Sequence, residues 1–143
     1  MLGGWKTMPN GCKVFVEPDG TIRRNKIKDK DIEIKTYELQ RDGNDIYKSK
    51  YLRDKKTRIT MGQLDYKVND KEVMVRMIKT YDQFKRRGIA TKLLKDLQKE
   101  IGNKEINFHL VTQDGQKLLD KIANITEKRK DKYGQTYYKG KIK

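Results

Sequence analysis

Apolar and polar positions alternate through the first half of the chain, then change period. Lys13-Val14-Phe15-Val16, Glu17-Pro18-Asp19-Gly20 and Thr21-Ile22-Arg23 read as strand, turn, strand, because Pro followed by Asp-Gly supplies turn chemistry between β-branched and aromatic flanks. Residues 23–31 are almost continuously charged and predict an exposed connection. Ile32 to Leu39 alternates as a half-buried strand, broken by Arg41-Asp42-Gly43-Asn44-Asp45. In residues 46–56, Ile46, Tyr47, Tyr51 and Leu52 have helical spacing in a lysine-rich segment, which leaves a short helix open. Ile59 to Val68 and Glu72 to Ile78 are two apolar-patterned runs, and the Asn69-Asp70 break between them predicts a hairpin.

Beyond residue 88 the period becomes that of a helix. Ile89, Ala90, Leu93, Leu94, Leu97 and Ile101 recur at three- and four-residue intervals, and Gly102-Asn103 supplies a stop. Ile106 to Val111 is a short strand, and Asp114 is placed to cap a second helix with Leu118, Leu119 and Ile122 on its apolar face. Thr136 to Ile142 predicts a last strand. Strands first, then helix, strand, helix, strand, implies a mixed α/β sheet.

Composition narrows the class. With 143 residues the chain has the size of one domain. No stretch approaches the roughly 18 apolar residues of a membrane span. Cys12 has no partner for a disulfide, and one histidine, His109, excludes a His-rich metal site. Lys6, Pro9 and Lys13 interrupt any leader-like apolar run, so a cytoplasmic protein is expected. Thirty-five basic against 20 acidic side chains give +15. Residues 1–70 contribute +5 and residues 71–143 contribute +10, so an acidic partner or a solvated lysine surface must account for the second half.

Candidate chemistry lies where the strand pattern meets the helix, at Lys85-Arg86-Arg87-Gly88-Ile89-Ala90-Thr91. A helix start presents unpaired backbone N–H groups and partial positive charge. Gly88 lacks a Cβ and Ala90 is small, so an anion can approach the backbone, and three cations add field. The Gly-Lys-Ser/Thr ending of a P-loop is absent, as is Gly-x-Gly-x-x-Gly.

This segment, with the Leu93-Leu94 pair behind it, resembles the pyrophosphate loop of the GNAT acetyltransferase superfamily. Lys85 stands where the family has Gln or Arg. Met61-Gly62-Gln63-Leu64 is similar to the preceding strand, residues 72–80 to the cofactor strand, and Phe108 to Val111 with Leu118 to Ala123 to the next strand and helix. The resemblance covers residues 57–125 and is strongest over 72–101. It implies a fold of the α/β (α+β) class: a GNAT-like mixed, mostly antiparallel central sheet flanked by helices, with a β-rich N-terminal part. A single domain over 1–143 would comprise a divergent part at 1–56, the core at 57–125 and a basic strand region at 126–143. It also implies acetyl-CoA as cosubstrate and no metal. The pyrophosphate would lie on the backbone N–H groups of Arg86, Arg87, Gly88, Ile89, Ala90 and Thr91 with Lys85 as a further cofactor-binding cation, the pantetheine arm along Ile78, Lys79 and Thr80, and an amine would attack the thioester directly.

Catalytic side chains depart from the family. Leu119 occupies the place of a tyrosine general acid, and leucine has no proton to give. Met74 falls near a family glutamate, with Glu72 two residues back on the same strand face as a candidate base. Glu72 equally fits the exposed start of a strand paired with a lysine. His109 has a suitable unperturbed pKa for a base but also fits a structural role. Tyr133, Tyr137 and Tyr138 offer an acid from the tail, or pack the last strand. Cys12 reads as an inert thiol. The acceptor amine is not legible, although a strongly basic protein disfavours free cationic amines. The alternative is a basic nucleic-acid- or protein-binding module with little or no turnover, motivated by Lys128-Arg129-Lys130-Asp131-Lys132-Tyr133. Both readings admit RNA or an acidic protein as partner. Homodimerisation through a sheet edge, residues 136–142 being the candidate, is a further expectation.

Overall fold

A computed structural model describes residues 4–7, 9, 13–16, 28–81, 88–109 and 111–143. Strands β1 (Gly4–Thr7) and β2 (Lys13–Val16) form an antiparallel two-stranded sheet. The strand expected at 21–23 lies outside the described residues. A seven-stranded sheet is built from β3 (Ile32–Asp42), β4 (Asp45–Asp54), β5 (Thr60–Val68), β6 (Val73–Thr80), β7 (Ile106–Phe108), β8 (Ala123–Lys130) and β9 (Thr136–Ile142), in the order β3-β4-β5-β6-β7-β9-β8. Helix α1 (Ile89–Ile101) connects β6 to β7, and α2 (Gln113–Ile122) connects β7 to β8. All neighbouring strands are antiparallel except β6 and β7. This is the mixed, mostly antiparallel sheet with flanking helices and a β-rich N-terminal part expected from the sequence.

Four local readings are corrected. The helical spacing at 46–56 yields to strand β4, because β3 and β5 take up its backbone groups on both sides. The hairpin across Asn69-Asp70 forms, with Val68 opposite Val73, but its connection is a four-residue loop rather than a two-residue turn, in which Asn69 Oδ1 accepts from the N–H groups of Lys71 and Glu72 at 2.9 and 2.8 Å. Thr112, not Asp114, caps α2: its hydroxyl accepts from the Gly115 N–H at 3.1 Å. Finally, β9 is an interior strand between β7 and β8, so residues 136–142 offer no free edge for a dimer. That edge belongs to β8, whose run Glu127-Lys128-Arg129-Lys130 is wholly exposed.

Helix α1 lies close on the sheet because Gly62 of β5 gives it room. A Cβ there would meet Ile89 Cγ2 at 2.5 Å and Leu93 Cδ1 at 3.2 Å. Leu64 and Tyr66 share that face of β5 and are buried with Leu93, Leu94 and Leu97.

Candidate active site

The decisive geometry is a split between two parallel strands. β6 and β7 pair over three positions, Val73–Ile106, Met74–Asn107 and Val75–Phe108. On its other side β6 pairs with β5 through Thr80, but the register skips Arg76, since Asp65 opposes Met77 and Tyr66 opposes Val75. Arg76 is thus a bulge residue, and a bulge bends its strand and sharpens the twist. Pairing with β7 ends just before it. From Arg76 onward, the β7-facing edge of β6 has no strand partner among the described residues.

The split opens a cavity of about 250 Å³. Its walls come from β6 (Val75 to Ile78), the end of β7, α1 through Leu94, and α2 through Gly115, Leu118 and Leu119. Three lining residues carry polar side chains, and each is engaged elsewhere. Arg76 places its guanidinium over the Tyr47 ring, 4.9 Å from the centroid. The Thr112 hydroxyl caps α2. His109 packs edge-on to Tyr137, with ring centroids 5.2 Å apart. What remains is hydrocarbon beside an unpaired strand edge.

Of the expected cofactor-binding residues, Ile78 lines this cavity. Lys79 extends over the Tyr81 ring at 5.1 Å, and Thr80 pairs with Gly62 at the far end of β6. Lys85, Arg86 and Arg87 lie outside the described residues. Gly88 begins α1 with φ +81°, a left-handed conformation suited to glycine, and a Cβ there would have nothing within 4 Å. Ile89 is buried against Gly62, so its contribution would come from its backbone. The N–H groups of Ile89, Ala90 and Thr91 have no partner within the helix, whose first such bond runs from Lys92 N to Gly88 O at 3.1 Å. Gly88 and Thr91 also border a broad open groove along α1, with Lys92, Lys95, Lys99 and Lys121 on its walls.

The proton-transfer candidates are scattered. His109 sits at the cavity wall. Partial burial holds its imidazole below the ordinary histidine range, with Glu72 opposing this and Arg129 and Lys67 adding to it. Glu72 lies in the loop before β6, 3.8 Å from Lys67 Nζ, and is not among the cavity residues. Tyr133 is 76% exposed on the β8–β9 turn. Tyr137 donates to Asp131 Oδ2 at 3.1 Å, and Tyr138 is buried in the core. Leu119 lines the cavity as a buried hydrocarbon wall. Among the described residues no three His, Cys, Asp or Glu side chains are grouped to hold a metal, and no helix is long and apolar enough to cross a membrane.

A second constellation was missed from sequence. Lys50 on β4 is 1% exposed, and its ammonium meets Thr36 Oγ1, Asp96 Oδ2 and Glu100 Oε1, each at 2.9 Å. Tyr66 donates to Glu100 Oε2 at 2.8 Å. Burial and this bond push the Tyr66 phenol well above its ordinary range. Burial pushes the Glu100 carboxyl up, but hydrogen bonds from Lys50 and Tyr66 more than reverse it, leaving it lowered. A lone lysine in an alternating strand gives no sequence signal for such burial. The acidic pair Asp96 and Glu100, one turn apart on α1, is the one clue.

No family model matches the chain, and no curated protein matches it. Among solved structures, a proposed acetyltransferase from Agrobacterium tumefaciens is similar at 13% identity and a TM-score of 0.46, over 77% of this chain and 74% of that one.

Proposed function

We propose that the protein transfers an acyl group from a coenzyme A thioester to an amine, with acetyl-CoA the simplest donor. The observation that carries this reading is the split between β6 and β7. A polar strand edge beside a hydrocarbon cavity suits an arm that carries amides along its length and an apolar acyl group at its end. Gly88 lies beyond the same end of β6, where the N–H groups of residues 89–91, without a partner among the described residues, suit the pyrophosphate. When bound, the donor supplies an activated carbonyl. The chain's part is to hold it. Backbone groups of Ile78, Lys79 and Thr80 bind the arm, and an N–H on the edge near Ile78 stabilises charge on the carbonyl oxygen. The amine nitrogen forms the new C–N bond as the C–S bond breaks; the thiolate leaves and recovers a proton.

His109 is the candidate placed to accept the amine's proton, since its neutral form prevails at pH 7 when its pKa is lowered. Glu72 acts on His109 through its charge, and Tyr133 would reach the reaction only from its exposed turn. Leu119 supplies no acid, so the thiolate would take its proton from water or from the attacking nitrogen, which must lose one to become the amide.

Calorimetry with coenzyme A and acetyl-CoA tests the donor. Binding is expected in the wild type and in Gly88→Asn, since Asn tolerates a left-handed backbone. In Gly88→Glu a carboxylate meets the pyrophosphate, and binding should vanish. No binding to the wild type would remove the reading. Labelled acetyl-CoA incubated with separated protein, RNA and small-molecule fractions then identifies the acceptor. The basic run on β8 favours a second reading, a polyanion-binding module. It predicts polyanion affinity that falls steeply with salt and survives Gly88→Glu.

A further inference from the structure

We infer that the cavity between β6, α1 and α2 is an acyl-chain site, and that the donor carries a chain longer than acetyl. The inference rests on the coenzyme A reading and narrows it. An arm anchored at Gly88 and paired along residues 78–80 brings its thioester to the strand edge near Ile78. There β7 has separated and the 250 Å³ cavity begins. That space equals about eight water molecules at roughly 30 Å³ each. An acetyl group has three heavy atoms and would leave most of it empty.

The three polar side chains at its rim, Arg76, Thr112 and His109, lie against Tyr47, Gly115 and Tyr137, which leaves the strand edge to the polar arm and hydrocarbon walls to the acyl group. The remaining side chains include Val75, Leu94, Phe108, Val111, Leu118 and Leu119. An acyl chain laid against these walls would remove apolar surface from water, which is favourable in proportion to the area covered. Two helices and two strands line it, with Arg76, Met77, His109 and Thr112 exposed at its rim, so a chain entering from the strand edge would lie against the buried walls Val75, Leu94, Phe108 and Leu119. A linear or branched saturated acyl group of about four to six carbons matches that volume.

The test is a calorimetric series of coenzyme A, acetyl-, butyryl-, hexanoyl- and decanoyl-CoA on the intact protein. Affinity should rise about fourfold per added methylene beyond acetyl, then fall at decanoyl. Leu118→Phe narrows the cavity and should reduce the hexanoyl-to-acetyl affinity ratio at least tenfold. If that variant does not fold, the wild-type series decides alone. Binding of coenzyme A with equal affinity from acetyl to hexanoyl would overturn the acyl-chain site while leaving the donor reading intact. No binding of any member would overturn both.

Discussion

Helix α1 faces two very different regions. Toward β4 it presents Asp96 and Glu100 to a buried lysine, and every polar group there has a partner. Toward β6 it presents Leu94 to an unfilled cavity with mostly hydrocarbon walls. The first region is saturated: Lys50, Tyr66 and Glu100 fix the helix against the sheet in one arrangement, since any shift breaks several charge-assisted bonds together. The second is left open at a cost, because hydrocarbon walls without neighbours forgo dispersion contacts. One helix thus carries a lock on one side and a vacancy on the other. The lock holds the vacancy's wall in place, which is what a binding cavity requires.

The comparison predicts its largest effect at Lys50. Lys50→Met keeps the apolar stem and removes the ammonium, leaving Asp96 and Glu100 facing each other and Tyr66 without charge balance nearby. Removing one partner of a buried pair costs about 3–5 kcal/mol. The lower end is expected, because the Asp96 and Glu100 side chains remain 39% and 29% exposed and can regain water. Urea denaturation measures it. A loss below 1 kcal/mol would show that the lock contributes little.

How legible these regions were differs for physical reasons. Helix α1 was plain because Leu93, Leu94 and Leu97 repeat at its period and Gly102 stops it with φ +71°. The mixed sheet followed from the order of elements. Strand β8 was hidden, since Asn124, Glu127, Lys128 and Lys130 present a polar run; it forms through its ladder with β9 and needs little apolar burial at an edge. The cavity was hidden for another reason. A bulge at Arg76 depends on cross-strand register, and no single-strand pattern encodes register. His109 was singled out and lies at the cavity wall. Leu94 and Leu118 looked like ordinary core.

Smaller effects sharpen the contrast at the cavity. Thr112→Ala removes the α2 cap beside it and should destabilise by about 1 kcal/mol; an unchanged melting temperature would show water replacing the hydroxyl. Leu118→Phe should do the opposite. Filling a cavity commonly adds about 1 kcal/mol, here roughly a 3 °C rise in melting temperature. The Lys50 network has no room for a comparable gain. A Leu118→Phe protein that melts lower would mean the cavity walls are already tightly constrained.

The finest separation of the two regions is by pH. Glu100 has its carboxyl lowered from 4.5 in the folded state. The folded protein then favours the charged form, so this contribution is complete above the unfolded value. It is lost as pH falls below about 4.5 toward the folded one. His109 is lowered from 6.5, so its linkage has the same sign in a higher window: the folded state resists the proton. Just below pH 6.5 the unfolded chain binds more protons, so stability declines as pH falls through that window and levels once both states are protonated. Urea titrations from pH 8 to pH 3 should therefore show two separate declines. His109→Asn should erase the upper one alone, and Glu100→Gln should reduce the lower one alone. If Glu100→Gln flattened both, the two regions would be electrostatically one, and the division of α1 into a locked side and an open side would fail.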